Sequence, residues 1–217
     1  MNFYDFLASL FRLFKKPSTP PSAPVENVEE SVIIEDSNPV LIRPDLLIKP
    51  IVQTITQAAA LIGVSRATLV AMAGVESNFN PNAKAPTSSA SGLFQFINST
   101  WAAMVTKYGD KYEIGLNDRF DPYKSSIMGA LFLKENVDYL ESRLNRKIGM
   151  GESYLAHFLG AGGAVKMLSA DPSAKARDYV SAAVVSANKT IFIKNGIPLS
   201  IATVTNNFNR KLRKVIE

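Results

Sequence analysis

The sequence predicts an all-α fold, and three observations lead to that prediction. From about Leu46 onward, apolar residues recur with the spacing of amphipathic helices, and helix caps and glycines divide the pattern into segments. No stretch alternates apolar and polar residues as a half-buried strand does, and no internal repeat is present. The chain has 217 residues, of which 47% are hydrophobic, and this suits one domain with its own core plus appendages.

The expected domain spans residues 46–217, and its helices are predicted in order. The first contains the run IVQTITQAAALIG and ends at Gly63. Ser65 is the predicted cap of the second helix, which continues to Glu76 before the chain enters a loop rich in Asn, Pro and Ser.

The remaining helices are marked by caps and by Pro and Gly residues. A third helix is predicted from a cap near Asn98 to a stop at Gly109. A long fourth helix has Asp121 as its cap and Pro122 as its first residue. Two short helical pieces flank a Gly-rich turn in ESYLAHFLGAGGAVKML. The last predicted segments are one that Pro172 opens and a final helix from about Ser200 to Ile216.

The first 45 residues differ from the rest of the chain. Residues 1–16, MNFYDFLASLFRLFKK, place Phe and Leu on one helical face and polar residues on the other, so they predict a short amphipathic helix. It is too short and too charged to span a bilayer, and its charges follow the apolar run, unlike those of a signal peptide. It is expected either to dock on a membrane or a partner particle or to pack on its own domain. Residues 17–45, rich in Pro, Ser and acids, predict a disordered linker.

Charge and cysteine content narrow the classes of partner and cofactor. Residues 1–45 hold 4 basic and 7 acidic residues, a net charge of −3, whereas the rest holds 20 basic and 12 acidic residues, a net charge of +8. A basic domain fits an anionic partner such as a bacterial wall. Apart from the tail NRKLRKVIE, no helix clusters Arg with aromatic residues, so nucleic acid is not expected. The chain has no cysteine, which excludes disulfides and Cys-based metal sites, and neither metal nor cofactor is expected.

Glu76 is the first candidate for chemistry. It shares a helical face with Leu69 and Ala73, in a helix that otherwise has a core composition. A helix C-terminus carries partial negative charge, and apolar surroundings disfavour an ionised carboxyl. Both effects predict a carboxyl group that keeps its proton, as a general acid must. The alternative interpretation is a solvated glutamate at a frayed helix end.

The segment that starts at Glu76, ESNFNPNAKAPTSSASGLFQF, resembles the signature of the lytic transglycosylase and goose-type lysozyme superfamily. The matching parts are Glu76-Ser77, Phe79, Asn80-Pro81 and the run Gly92-Leu93-Phe94-Gln95, with Phe94 where the family has Met. The resemblance extends over about residues 50 to 190. It implies a lysozyme-like helical domain with Glu76 as the catalytic acid.

The resemblance also implies substrate-binding residues in the loop. Gln95 is expected to offer a donor and an acceptor to a sugar's acetamido or hydroxyl group. Gly92 is expected to let the backbone approach a bound sugar closely. Phe94 is expected either to contact substrate or to pack in the core.

The second family motif, Ala-Tyr-Asn-Ala-Gly-Pro-Gly, is altered here to AHFLGAGGAV. In the alignment that we adopt, Phe158 takes the place of the motif's Tyr and loses its hydroxyl. The adjacent His157, the one histidine of the chain, is either a replacement polar group in the cleft or a core histidine. Tyr179, in RDYV, is either a second cleft tyrosine or a core residue.

The implied function is cleavage of peptidoglycan. By resemblance, Glu76 protonates the oxygen between N-acetylmuramic acid and N-acetylglucosamine, and then deprotonates the C6 hydroxyl, which closes a 1,6-anhydro ring without water. A muramidase-type hydrolase and a non-catalytic wall-binding virion protein remain alternatives. The HFLGAGGA variant and the absence of a recognisable signal peptide favour a phage enzyme in a virion or the host periplasm, where residues 1–16 dock it.

Overall fold

A computed structural model gives the fold of the protein. The structure describes the backbone of residues 44–217 and the side chains of residues 48–217. The predicted amphipathic helix of residues 1–16 lies outside the described residues, as does the predicted linker up to residue 43. The last two residues assigned to that linker, 44 and 45, belong instead to the first helix.

The described residues form a helical domain with a single small hairpin, and the all-α prediction is confirmed. In chain order, the helices are α1 (Pro44–Ile62), α2 (Arg66–Ser77), α3 (Asn98–Tyr112), α4 (Pro122–Leu144), α5 (Met150–Leu159), α6 (Ala161–Leu168), α7 (Ala182–Ala187), α8 (Lys189–Phe192) and α9 (Ile201–Ile216). Two 3₁₀ helices, Leu116–Phe120 and Ala176–Tyr179, and two strands, β1 (Ile193–Lys194) and β2 (Ile197–Pro198), complete the elements.

Two predicted helix starts are confirmed by their hydrogen bonds. The Ser65 side chain accepts a hydrogen bond from the Thr68 backbone N–H at the start of α2. Asp121 accepts one from the Lys124 N–H at the start of α4, with Pro122 as the first helical residue. Such caps satisfy backbone donors that have no partner within the helix, which is why they fix where a helix begins.

Two predicted boundaries are wrong, and one element was not predicted. Helix α1 begins at Pro44 rather than at about Leu46, and Pro50 is accommodated inside it. Helix α3 runs past Gly109 to Tyr112, because Glu113 is the residue that turns left-handed and closes the helix with a hydrogen bond to the Gly109 carbonyl. The hairpin was not predicted, although its turn residues Asn195 and Gly196 both have positive φ, as a two-residue hairpin turn requires.

The core lies between the long helices. Helix α1 packs against α4 and α2, and α9 packs against α5 and α2. Trp101, from α3, is 1% exposed, and its indole N–H donates to the Leu116 carbonyl at 2.9 Å. This arrangement places the C-terminal end of α2 beside α5 and α9. No helix among residues 48–217 is long and apolar enough to cross a bilayer.

Candidate active site

Glu76 lies in the last turn of α2, one residue before the helix ends at Ser77. The helix stops because Asn78 adopts left-handed angles, φ 52° and ψ 40°, and its N–H donates to the Gly74 carbonyl. Phe79 also has a positive φ of 62°. Two consecutive non-glycine residues in this region are costly, and such strain concentrates at functional sites. The turn brings the Phe79 ring against Gly74.

The Glu76 side chain is buried inside the protein. The residue is only 2% exposed, which contradicts the alternative interpretation of a solvated glutamate at a frayed helix end. Burial removes the hydration that favours an ionised carboxyl group, so this carboxyl depends on the few protein groups around it. The retention of its proton stays a prediction.

Two residues of α5 face the Glu76 carboxyl. The Tyr154 hydroxyl donates a hydrogen bond to Oε1 at 2.9 Å. His157 Nε2 lies 3.3 Å from the same oxygen, but this contact lacks hydrogen-bond geometry and becomes an ion pair only if the imidazole is protonated. Tyr154 and His157 are three residues apart and share a helical face, where their rings stack with centroids 5.7 Å apart. The Phe132 ring of α4 closes the other side of His157, edge-on at 5.8 Å.

The hydrogen bond from Tyr154 distinguishes the two carboxyl oxygens of Glu76. Burial, and then the neighbouring Glu76 charge, raise the pKa of Tyr154 well above its usual value, so its hydroxyl keeps its proton and remains a donor. Oε1 is therefore an acceptor. Within the part of the chain that the structure describes, Oε2 has no hydrogen-bond partner. An acidic proton on Glu76 is consequently best placed on Oε2.

A lysine from α9 completes these surroundings. Lys211 is half-buried, and its Nζ lies 5.9 Å from the centroid of the Tyr154 ring. Burial lowers the pKa of Lys211, while the electrostatic interaction with Glu76 acts in the opposite direction. Glu76, Tyr154, His157 and Lys211 are called the carboxyl pocket below.

Residues 78–97, called the signature loop below, are held largely by bonds within the loop and to one arginine. The Gln95 amide nitrogen donates to the carbonyls of Gly92 at 2.9 Å and Ala83 at 3.3 Å. Gln95 is 1% exposed, and its Oε1 has no partner among the described residues. Since the donors are engaged within the loop, Gln95 has an acceptor to offer a sugar, and the predicted donor role is not supported by this geometry.

Gly92 sits where a side chain is excluded by the protein itself. Its φ is +81°, and a Cβ atom there would lie 2.7 Å from the Arg119 carbonyl oxygen. The close approach that Gly92 permits is therefore to Arg119 of the same chain. Its predicted contact with a bound sugar stays a prediction.

Arg119, which the sequence analysis did not single out, anchors the signature loop. Its Nη1 donates to the carbonyls of Ser89 at 3.2 Å and Phe96 at 3.3 Å, and to the Ser91 hydroxyl at 3.1 Å. Its guanidinium also lies over the Trp101 ring, 6.0 Å from the centroid. Burial lowers the pKa of Arg119, which nevertheless stays charged because an arginine titrates far above neutral pH.

The three aromatic candidates are core residues to different degrees. Phe94 is 2% exposed and packs against Gly129 of α4, which favours the core interpretation. Phe158 is 1% exposed, and its ring packs against Phe192 and Phe208 at centroid distances of 6.2 and 5.5 Å. Tyr179 ends the second 3₁₀ helix and is partly buried against the core.

The adopted alignment of the AHFLGAGGAV motif needs correction on structural grounds. Phe158 points into the core, and the adjacent His157 is the residue that faces Glu76. The reason is helical geometry, because neighbouring residues on α5 lie about 100° apart and cannot share a face. Whether His157, Phe94 or Tyr179 binds substrate stays a prediction.

Tyr154 and Lys211 were missed by the sequence analysis. Tyr154 precedes His157 by three residues, which would have placed the two on one face. Lys211 lies outside the resembling segment, and no local pattern marks it. Among residues 48–217, no group of three His, Asp or Glu side chains is close enough to hold a metal ion.

Comparison with known families identifies the class of protein that this fold and site define. A family model described as Transglycosylase SLT domain matches residues 53–168, just over half of the chain. The chain therefore belongs to the transglycosylase SLT domain family, with a lysozyme-like fold. Members of this family are lytic transglycosylases that act on peptidoglycan, so the protein is an enzyme of that class and its substrate is peptidoglycan. The match includes Glu76, Gln95 and His157, and it ends before Tyr179 and α9.

Proposed function

We propose that the protein cleaves the β-1,4 bond between N-acetylmuramic acid and N-acetylglucosamine and leaves a 1,6-anhydro end, with Glu76 as general acid and then general base. The observation that carries the proposal is the buried Glu76 carboxyl, whose Oε1 accepts from Tyr154 while Oε2 lacks a partner in residues 48–217. A polar atom left unmatched in a protein interior is costly, and a functional role is one explanation for its presence.

The first step is transfer of the Oε2 proton to the bridging oxygen. The bond from C1 of N-acetylmuramic acid to that oxygen breaks, and N-acetylglucosamine leaves with the proton on its new hydroxyl group. The acetamido group of the substrate stabilises the positive charge that develops at C1. Glu76 becomes a carboxylate, with the Tyr154 hydroxyl still donating to Oε1.

The second step returns the proton to Glu76. The carboxylate takes the proton from the C6 hydroxyl of the same N-acetylmuramic acid, and O6 bonds to C1 to close the anhydro ring. The balance is complete with a single carboxyl group, since the proton lost in the first step is recovered in the second. In the hydrolase alternative, water is deprotonated in place of the C6 hydroxyl and the product has a reducing end.

Substrate binding has to open the site. The Glu76 side chain has no exposed surface, whereas the His157 side chain is 6% exposed. Oε2 must come within hydrogen-bond reach of the bridging oxygen before the proton is transferred. Binding of the glycan strand is therefore expected to displace part of the cover over Glu76.

The test is digestion of purified sacculi by the wild-type protein and by the Glu76→Gln variant, with mass spectrometry of the released fragments. We expect anhydro ends, lighter by one water than reducing ends, and a loss of at least about 100-fold in release for the variant. Reducing ends would indicate a muramidase instead. Equal release by the variant would remove Glu76 from its role, and wall binding without release by wild type would favour a non-catalytic wall-binding protein.

The biological setting proposed is a phage-encoded or phage-derived enzyme that acts on the host wall from the virion or in the host periplasm. Support comes from the HFLGAGGA variant of the family motif and from the amphipathic pattern of residues 1–16. Residues 1–16 would dock the enzyme to a particle or to the inner membrane. Deletion of residues 1–16 should abolish co-sedimentation with particles or inner-membrane vesicles, and an unchanged association would contradict the docking role.

A further inference from the structure

Helix α9 reaches the catalytic glutamate from outside the segment that matches the family. The match ends at residue 168, whereas α9 spans Ile201–Ile216. Val215 of α9 packs so closely on α2 that a Cβ atom at Gly74 would lie 2.3 Å from its side chain. Phe208 packs edge-on against Tyr154, with ring centroids 5.2 Å apart. Thus α9 is fixed at two points, one on the helix that carries Glu76 and one on the Tyr154 ring.

Lys211 lies between those two fixed points, on the same face of α9. Positions 208, 211 and 215 are three and four residues apart, which is the spacing of neighbours along one helical face. Its ammonium group sits over the Tyr154 ring at 5.9 Å from the centroid, and the hydroxyl of that ring donates to Glu76. The packing of Phe208 and Val215 therefore holds Lys211 toward the pocket rather than toward open solvent.

We propose that Lys211 is a positioning residue of the active site, whose ammonium group stabilises the carboxylate that Glu76 becomes when it releases its proton. The proposal rests on the function proposed for Glu76. It adds to the active site the positive charge of Lys211, a residue that lies beyond the segment that matches the family.

The physical reason is the cost of creating a negative charge in a buried site. A carboxylate removed from water needs a nearby opposite charge or strong donors. Tyr154 of α5 offers an uncharged donor, and His157 of the same helix offers a positive charge only when protonated. Phe132, which closes the pocket from α4, offers no polar group. Lys211, from α9, supplies a full charge in its ammonium form, and the Glu76 charge raises the pKa of Lys211 against the effect of burial.

The structure also explains why α9 cannot simply be removed to test this. Ile201, Val204, Phe208 and Leu212 of α9 are all buried, so deletion of the helix would expose core surface and unfold the domain. Point variants at Lys211 avoid that difficulty. Lys214 is an exposed lysine on the same helix and serves as the matched control.

The first test is the pH profile of muropeptide release by wild type and by the variants Lys211→Met, Lys211→Arg and Lys214→Met. Without the ammonium group, the carboxylate forms less readily. We therefore expect Lys211→Met to lower the maximal rate about 5- to 10-fold and to move the alkaline limb of the profile to higher pH by about half a unit or more. Lys211→Arg should restore both the maximal rate and the position of the alkaline limb, and Lys214→Met should match wild type in both. A lowered rate with an unmoved limb, or no rescue by Arg, would indicate a packing role and overturn the proposal.

The second test does not depend on activity. NMR titration of the Lys211 side chain in the full chain should give a lower midpoint in Glu76→Gln than in wild type, because a favourable interaction between two groups acts equally on both. An unchanged midpoint would overturn the proposal even if the enzyme is active. If wild type releases no muropeptides, the proposed function fails, and the titration still decides whether Lys211 and Glu76 interact.

Discussion

The signature loop and the carboxyl pocket meet at the end of α2, but they differ in how far their polar groups are hydrogen-bonded. Five hydrogen bonds, donated by Gln95 Nε2 and by Nη1 of the neighbouring Arg119, hold the loop, and Gln95 Oε1 and Arg119 Nε are the atoms of these two groups without a partner among the described residues. In the pocket, Glu76 Oε2 and both His157 nitrogens are buried without a hydrogen-bond partner among the described residues. The difference indicates that the loop is a rigid support, while the pocket keeps its polar atoms available for a substrate.

The largest effect is expected on the stability of the signature loop, from a substitution at Gly92, which packs against Arg119. Gly92→Ala has to adopt a φ of +81° and bring its Cβ within 2.7 Å of a backbone oxygen. The left-handed conformation costs about 1–2 kcal/mol and the clash a similar amount, so we expect a loss of about 3 kcal/mol in the free energy of unfolding. Chemical denaturation measures it.

Gly63 offers the matched control for that substitution. Its φ is +76°, yet a Cβ atom there would meet nothing within 4 Å. Gly63→Ala should therefore lose only the conformational part, about 1–2 kcal/mol. Equal losses at the two positions would mean that the approach of Gly92 to Arg119 contributes nothing, and the description of the loop as a tightly anchored support would be wrong.

A smaller loss of stability is expected when Arg119 itself is substituted. Arg119→Met removes the donors to Ser89, Ser91 and Phe96, and we expect a loss of about 2 kcal/mol in the free energy of unfolding together with faster proteolysis within the signature loop. Arg119→Lys keeps the charge but lacks the planar group that reaches several acceptors, so it should rescue little. Substitution of the exposed Arg213 by Met should change stability by less than about 0.5 kcal/mol. Full rescue by Lys would show that charge, and not the hydrogen bonds, holds the loop.

The sequence predicted local features such as helix caps far better than the assembly of the pocket, for a physical reason. Caps such as Ser65 and Asp121, and the position of Glu76 at the end of an apolar helix, depend on residues within one or two turns of each other. The pocket instead assembles from α2, α5 and α9, whose residues meet only after packing. For the same reason the face of α5 that meets Glu76 could not be chosen between His157 and Phe158 before the structure was known, and the short hairpin at Asn195–Gly196 was overlooked although its turn is a local signal.

The smallest change in free energy is expected from a substitution at Tyr154. This substitution tests the carboxyl pocket rather than the signature loop. Tyr154→Phe removes the hydroxyl that donates to Glu76 Oε1 and leaves the ring stacked on His157. Loss of one buried hydrogen bond costs about 1–2 kcal/mol, so the rate of muropeptide release should fall roughly 10-fold. Tyr123→Phe, at an exposed tyrosine of α4, should leave the rate unchanged. Unchanged activity in Tyr154→Phe would mean that Oε1 needs no fixed donor and that either carboxyl oxygen can carry the proton.

The pH dependence of the free energy of unfolding gives a second test of the buried Tyr154 hydroxyl. Burial, followed by the Glu76 charge, raises the pKa of Tyr154 in the folded protein above its value in the unfolded chain. Above the ordinary tyrosine pKa of about 10, the unfolded chain ionises at this residue while the folded protein does not. The contribution of Tyr154 to stability is thus fully present below that pH and is lost as the pH rises through the raised folded-state pKa. The free energy of unfolding should therefore fall more steeply above pH ~10 in wild type than in Tyr154→Phe, and parallel curves would show that the hydroxyl is more hydrated than its burial beside Glu76 implies.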